Sequence, residues 1–139
     1  MTLQANLSLD SRVEEIRRAR QWVTAHARAA GLSDTEIRNV GLALSEACAN
    51  VIKHAYRGQP NHCIELQLNI DDVRLELTIR DTGTKFDLAS YQSPNLNEPQ
   101  ESGYGIFIIR SLMDEVDYDT STEQGTMLRL VKYRSGPAV

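Results

Sequence analysis

The side chains with the clearest chemical potential are Glu46, Asn50 and His54, spaced four residues apart. On a helix this spacing puts a carboxylate, a carboxamide and an imidazole along one line. Asn is a poor helix former, and inside a helix it is typically retained for its hydrogen-bonding or metal-ligating oxygen. The apolar residues of the same stretch mark the core side, so the polar line is predicted at the core boundary: Ile37, Val40, Leu44, Ala47, Cys48, Val51 and Ala55. There the three polar side chains either meet a ligand or form a hydrogen-bonded edge of the helix.

Three glycine-containing segments follow this stretch. Asp81-Thr82-Gly83 ends a strand pattern, where an acid can point into a pocket and a glycine lets a flat ligand approach the backbone. Gly103-Tyr104-Gly105 opens a helix pattern, whose free N–H groups and dipole suit a phosphate. Gly125-Thr126 enters the last strand. Each segment alone is also typical of a turn or of loop closure, but their order within one small domain favours a shared site.

Two periodicities predict the elements that position these segments. Alternating apolar residues predict strands over residues 3–9, 64–70, 73–80, 116–120 and 126–133, and helical spacing predicts helices from Arg12 to Ala30, from Ser33 to Tyr56 and from Ile106 to Met113. Ser11 with Glu14 and Ser33 with Glu36 form capping-box patterns at the first two helix starts.

The predicted architecture is an α+β two-layer sandwich. A mixed, mainly antiparallel sheet is expected to carry three helices on one face, in a single domain over residues 1–139. The polar stretch from Asp87 to Gly103 is long for an idle loop and is interpreted as a mobile lid.

Composition narrows the function classes. A chain of 139 residues with 41% hydrophobic residues supports one core, and a net charge of −4 without a basic run disfavours nucleic acid. Since no apolar stretch approaches the roughly 20 residues of a membrane span, and the first residues do not resemble a signal peptide, a cytoplasmic protein without membrane contact is expected. The two cysteines, Cys48 and Cys63, are expected to be reduced thiols.

Together these segments resemble the N box and the three glycine boxes of the GHKL ATPases, which have the Bergerat ATP-binding fold. Within that group, the chain resembles the anti-sigma-factor serine kinases of the RsbW and SpoIIAB type. The narrower likeness depends on the short chain, the short lid and the run from Ser102 to Val116. The resemblance extends from about Leu7 to Tyr133.

The resemblance implies that ATP and Mg²⁺ bind here. It makes Asn50 the Mg²⁺ ligand and Asp81 the acceptor of a hydrogen bond from the adenine amino group. It places Gly83 against the base and Thr126 beside it, with a hydroxyl that acts through water.

The resemblance also implies phosphate contacts and a catalytic base. The N–H groups of Gly103 and Gly105 would meet the phosphates, with Lys53 and Arg110 as the nearest cations. Glu46, one turn before Asn50, is the candidate general base for an attacking hydroxyl. His54 either contacts phosphate or orders the polar line.

The implied function is an ATP-dependent protein-serine/threonine kinase. Its expected partners are a STAS-type anti-anti-sigma protein, which it phosphorylates, and a sigma factor, which it sequesters; a homodimer is expected. One alternative is a regulatory module that binds nucleotide without transferring phosphate. Another is a stray histidine-kinase catalytic domain, which the lack of a dimerisation segment disfavours.

Overall fold

Five strands form one sheet in the computed structural model, which describes residues 2–85 and 104–135. They are β1 (Leu3–Asp10), β2 (Cys63–Ile70), β3 (Arg74–Arg80), β4 (Glu115–Asp119) and β5 (Met127–Tyr133), in the order β1-β2-β3-β5-β4. All four pairings of these described strands are antiparallel. The sequence correctly predicted a mainly antiparallel sheet, but these pairings include no parallel one, so the sheet is not mixed. The reason is the connection after β3: the chain passes first to the edge strand β4, and the β4–β5 hairpin returns it beside β3 in the opposite direction.

Helices cover one face of the sheet, as predicted. They are α1 (Val13–Ala29), α2 (Asp34–Asn50) and α3 (Tyr104–Leu112), and α2 continues directly into a π-helical turn at Val51–Ala55, named the π turn below. The alternating residues of the strands point toward these helices and are buried with them, for example Leu66, Leu77 and Leu130. The outer face is polar: Arg129 pairs there with Glu76 at 2.9 Å and with Asp117 at 3.1 Å.

One of the two predicted capping boxes is present. The Ser33 hydroxyl accepts the Glu36 N–H at 3.1 Å, and the Glu36 carboxylate accepts the Ser33 N–H at 2.8 Å. The predicted capping box at Ser11 is wrong. The N-cap residue of α1 is Arg12, and its side chain makes no capping hydrogen bond. The Ser11 hydroxyl instead donates to the Gln59 carbonyl at 2.5 Å, so a contact distant in sequence replaces the local cap.

The remaining fold predictions have mixed outcomes. Gly31 ends α1 with φ of +86°, a conformation that glycine adopts without strain. Cys48 and Cys63 are free thiols as predicted, and burial raises the pKa of Cys48 to about 12. Among the residues described, no helix is both long enough and apolar enough to cross a membrane. The predicted lid from Asp87 to Gly103 lies outside the described residues.

Candidate functional site

Glu46 and Asn50 lie one turn apart at the C-terminal end of α2, and both side chains are half-buried. Within residues 2–85 and 104–135, no hydrogen bond or ion pair engages the Glu46 carboxylate. A half-buried carboxylate without an internal partner is available to a ligand or to an incoming protein group. The structure therefore places the candidate base and the candidate metal ligand side by side at the core boundary, as the sequence predicted.

His54, the last residue of the predicted polar line, lies in the π turn. In it the Tyr56 N–H donates to the Val51 carbonyl, five residues back, at 2.9 Å. Such a turn takes up about one residue more than an α-helical turn. His54 and Lys53 are both exposed to solvent on the π turn, and the alignment of His54 with Glu46 and Asn50 stays a prediction.

The start of α3 rests on the Asn50 amide. Gly105 is the second residue of α3, and a Cβ there would lie 3.0 Å from both Oδ1 and Nδ2 of Asn50. The first N–H groups of a helix have no intrahelical partner, so they present positive potential beside the amide oxygen. The structure thus joins two predicted site segments that are 55 residues apart in the chain.

Two other predicted phosphate contacts, Gly103 and Arg110, stay untested predictions. Gly103 lies outside the described residues. Arg110 is exposed in the last turn of α3. At about 1.5 Å of rise per residue, its Cα is roughly 8 Å along the helix from Gly105. The role of Arg110 as a phosphate contact stays a prediction.

Asp81 forms the second centre of the site, and its side chain is only 5% exposed. Its Oδ1 accepts the Gly83 N–H at 3.0 Å, and its own N–H donates to the Thr126 carbonyl at 3.1 Å. Burial raises the pKa of Asp81, and the backbone hydrogen bonds from Gly83 and Thr126 offset only part of that rise. Asp81, Gly83 and Thr126 thus come together, as the sequence predicted.

The contacts that hold this loop were missed from the sequence. The Thr82 N–H donates to the Tyr56 hydroxyl at 2.9 Å, and the Thr84 N–H donates to the Ala55 carbonyl at 2.8 Å. A Cβ on Gly83 would overlap that same carbonyl group. The end of the π turn therefore captures the Asp81 loop. The one available sequence signal was a tyrosine at a buried helix position, whose hydroxyl needs a partner.

The β4–β5 turn closes the other side of the loop. Gly125 has φ of +74°, and a Cβ there would overlap the Asp81 carbonyl group. The Lys85 ammonium donates to the Thr120 carbonyl at 2.7 Å and to the Thr122 carbonyl. The loop from Asp81 to Lys85 is thus enclosed by backbone groups of the π turn on one side and of the β4–β5 turn on the other.

Comparisons with known proteins agree with this geometry. Residues 9–132 match the family model of the histidine kinase-like ATPase domain. The serine-protein kinase RsbW of Staphylococcus epidermidis is 36% identical over 117 residues, which cover 75% of this chain and 70% of that protein. The RsbW of Listeria innocua is 31% identical over 137 residues, which cover 91% of this chain and 85% of that protein. The chain is an RsbW-like member of the histidine kinase-like ATPase family.

A solved structure shows the same fold as this RsbW-like chain. It contains the RsbU and RsbW domains of Rv1364c from Mycobacterium tuberculosis, with a TM-score of 0.71 and 17% sequence identity. The match covers 99% of this chain and 34% of that chain, so the RsbW-like chain spans about a third of the solved protein. The fold predicted from the resemblance is thereby confirmed, and membership of an ATPase family indicates a nucleotide as the ligand of the site.

Proposed function

We propose that this chain is an ATP-dependent protein-serine/threonine kinase and anti-sigma factor that phosphorylates a STAS-type anti-anti-sigma protein. The observation that carries the proposal is the packing of Gly105 against the Asn50 amide, one turn from Glu46, which has no partner among residues 2–85 and 104–135. This arrangement supports a site in which the candidate cation ligand, the candidate base and the start of α3 lie close together. The relatives named serine-protein kinase RsbW support phosphoryl transfer as the reaction.

The residues present fit a magnesium nucleotide. Asn50 would ligate Mg²⁺ through its amide oxygen, which suits a hard cation that takes its other ligands from phosphate and water. The described residues hold no cluster of three or more His, Cys, Asp or Glu side chains that could bind a metal, so the protein's share of this cation site is small. Asp81 would accept the adenine amino group, and the start of α3 would face the phosphates. When bound, Mg²⁺ neutralises phosphate charge.

Glu46 supplies the proton chemistry. The hydroxyl oxygen of the partner's serine forms a bond to the γ-phosphorus of ATP, the bond from that phosphorus to the β-phosphate oxygen breaks, and ADP leaves. Glu46 accepts the hydroxyl proton. Because Glu46 has no internal partner among the described residues, accepting this proton disrupts no hydrogen bond within them.

The proposed partners are a STAS-type protein, as phosphoryl acceptor, and a sigma factor, bound when that protein is not engaged. We include a homodimer in the proposal, since the resemblance implies one. Lys53, His54 and Arg110 are proposed as outer contacts of the phosphates, and Gly83 and Thr126 as walls of the base pocket.

The test is transfer of labelled phosphate from ATP to a STAS-domain protein. Phosphoserine or phosphothreonine on that partner supports the proposal, whereas tight ATP binding without transfer to any STAS partner contradicts it and favours a regulatory binding module. Asn50→Ala should weaken ATP binding about 10- to 100-fold with Mg²⁺ present, and the loss should largely vanish in EDTA. A loss of equal size in EDTA would contradict the metal-ligand assignment.

A further inference from the structure

Tyr56 makes a contact that the proposed chemistry does not use. Its side chain is 3% exposed, although it carries a polar hydroxyl. That hydroxyl donates to the Cys63 carbonyl at the start of β2, at 2.5 Å, and accepts the Thr82 N–H at 2.9 Å. The phenol therefore connects the end of the π turn, the start of β2 and the loop that follows β3.

The position of Tyr56 connects the two centres of the site. It directly follows the π turn, which itself directly follows Asn50. Thr82, whose N–H it accepts, directly follows Asp81. The hydroxyl is thus the side-chain contact that fixes the residue next to Asp81 relative to the helix that carries Asn50. The Ala55 carbonyl also holds the loop, since it accepts the Thr84 N–H at 2.8 Å. This is a main-chain contact, so a side-chain substitution does not remove it.

We propose that Tyr56 is a positioning residue for base selection: its hydroxyl holds the Asp81 carboxylate at the place where an adenine amino group is accepted. The inference rests on the proposed function, since it requires ATP as the ligand. Tyr56 itself touches no substrate; it acts through Thr82 and Asp81.

Base chemistry supplies a specific readout for this role. Adenine presents a hydrogen-bond donor at its exocyclic amino group, whereas guanine presents a carbonyl oxygen at that place, which a carboxylate repels. Displacing Asp81 therefore weakens binding of ATP and relieves the repulsion of GTP. A general loss of stability would instead weaken the binding of ATP and of GTP by the same factor, because it lowers only the fraction of folded protein.

The experiment compares Tyr56→Phe with Tyr133→Phe. Both remove one phenol hydroxyl, but that of Tyr133 donates to Glu115 on the outer face of the sheet. Tyr56→Phe should raise the Kd for ATP about fivefold, the effect of one hydrogen bond, and change the Kd for GTP less than about twofold. Tyr133→Phe should leave both values unchanged. An unaltered ratio of ATP to GTP affinity in Tyr56→Phe would overturn the inference.

Thr82→Ala separates the two contacts of Tyr56 with Thr82. The Thr82 hydroxyl lies 3.4 Å from the Tyr56 hydroxyl, and this variant removes that hydroxyl while keeping the N–H. We expect the ATP to GTP ratio of the wild-type protein. A ratio as low as that of Tyr56→Phe would mean that the side-chain contact, and not the backbone hydrogen bond, positions Asp81.

Amide exchange tests the same hydrogen bond without any nucleotide. In the wild-type protein the Thr82 amide should exchange slowly before ATP is added, and in Tyr56→Phe it should exchange at least about tenfold faster. Should Tyr56→Phe not fold, rapid exchange of Thr82 in the wild-type protein would by itself refute the inference. The two proposals fail separately: wild-type protein that binds no ATP refutes the proposed function, whereas ATP binding with an unchanged nucleotide ratio refutes only the role of Tyr56.

Discussion

Helix α2 carries a glutamate near each end, and the two have opposite surroundings. Glu36 is 7% exposed, and its carboxylate accepts the N–H groups of Ser33 at 2.8 Å and Ser135 at 2.7 Å. Glu46, ten residues later, is half-buried and has no partner within the described parts of the chain. The Glu36 carboxylate is therefore occupied by hydrogen bonds within the fold, while the Glu46 carboxylate is available to a ligand.

The neighbourhoods extend this contrast. Near Glu36, the Arg134 guanidinium donates to the Ala30 carbonyl at 2.6 Å and to the Asp71 carbonyl at 2.8 Å, so side chains join the turns to the C-terminal segment. At the other end of α2, Gly105 packs against the Asn50 amide, one turn from Glu46. Under the proposed function, the first end of α2 serves stability and the second end serves chemistry.

The sharpest test of the comparison is removal of each charge in turn. Glu46→Gln should lower the rate of phosphoryl transfer by about 10²- to 10⁴-fold, because a positioned base is lost, while the Kd for ATP changes less than about twofold. Glu36→Gln should keep the transfer rate per folded molecule. Labelled-phosphate transfer and calorimetry measure the two quantities. Equal losses of rate in both variants would mean that neither end is specialised.

Protonation of Asp81 is expected to have the next largest effect on ATP binding. It also changes stability, with a pH dependence opposite to the one expected for Glu36. Burial raises the pKa of Asp81 above its ordinary 3.8, so the folded state holds this proton more tightly than the unfolded chain does. Its contribution to stability is therefore present at low pH and is lost as pH rises from the ordinary value through the raised one. In the proposed contact the adenine amino group donates to the ionised carboxylate, so ATP affinity should fall about tenfold per pH unit below the raised pKa.

Asp81→Asn provides the control for this pH dependence. The amide cannot titrate, so calorimetry from neutral pH down through the range in which Asp81 titrates should show weaker ATP binding that no longer follows this protonation. A wild-type affinity that is constant over the range in which Asp81 titrates would argue against a contact between this carboxylate and the base.

The sequence predicted local features of the fold better than contacts between distant residues. Alternation correctly placed Leu66 on the buried face, where it pairs with Leu7 and Ile79 in the register. The capping pattern at Ser33 held because its two partners are three residues apart, whereas Ser11 found a partner 48 residues away. The π turn was also missed, because the apolar spacing of one turn does not distinguish it from an α-helix.

The same distinction applies to the site. The resemblance to the GHKL ATPases was enough to predict that Asp81 and Thr126 lie at one site, and the structure shows a backbone hydrogen bond between them. The hydrogen bond from Thr82 to Tyr56 spans 26 residues and depends on how closely the π turn approaches the loop. No local pattern encodes that approach. The roles assigned to individual site residues stay predictions.

Glu36→Gln should have a smaller effect, confined to stability. Burial raises the pKa of Glu36, but hydrogen bonds from Ser33 and Ser135 outweigh burial and lower it from the ordinary 4.5. The stabilisation is therefore present above the unfolded-state pKa and is lost as pH falls through the lowered one. At pH 7 we expect a loss of about 1 kcal/mol in the free energy of unfolding. Denaturant titration should show this difference disappearing in acid; a pH-independent difference would show that charge is not its source.

The smallest effects are expected at Lys53 and His54. Both side chains are exposed on the π turn, and exposed charge pairs contribute at most about 1 kcal/mol. Lys53→Gln should raise the Kd for ATP less than about fivefold, and the increase should shrink at high salt because exposed charges are screened. His54→Ala should change this Kd less, because no hydrogen bond or ion pair among the described residues ties the exposed His54 side chain to Asn50. Calorimetry at low and high salt measures both values. A larger loss of ATP affinity in His54→Ala than in Lys53→Gln would show that the ligand-binding part of the helix extends past Asn50 into the π turn.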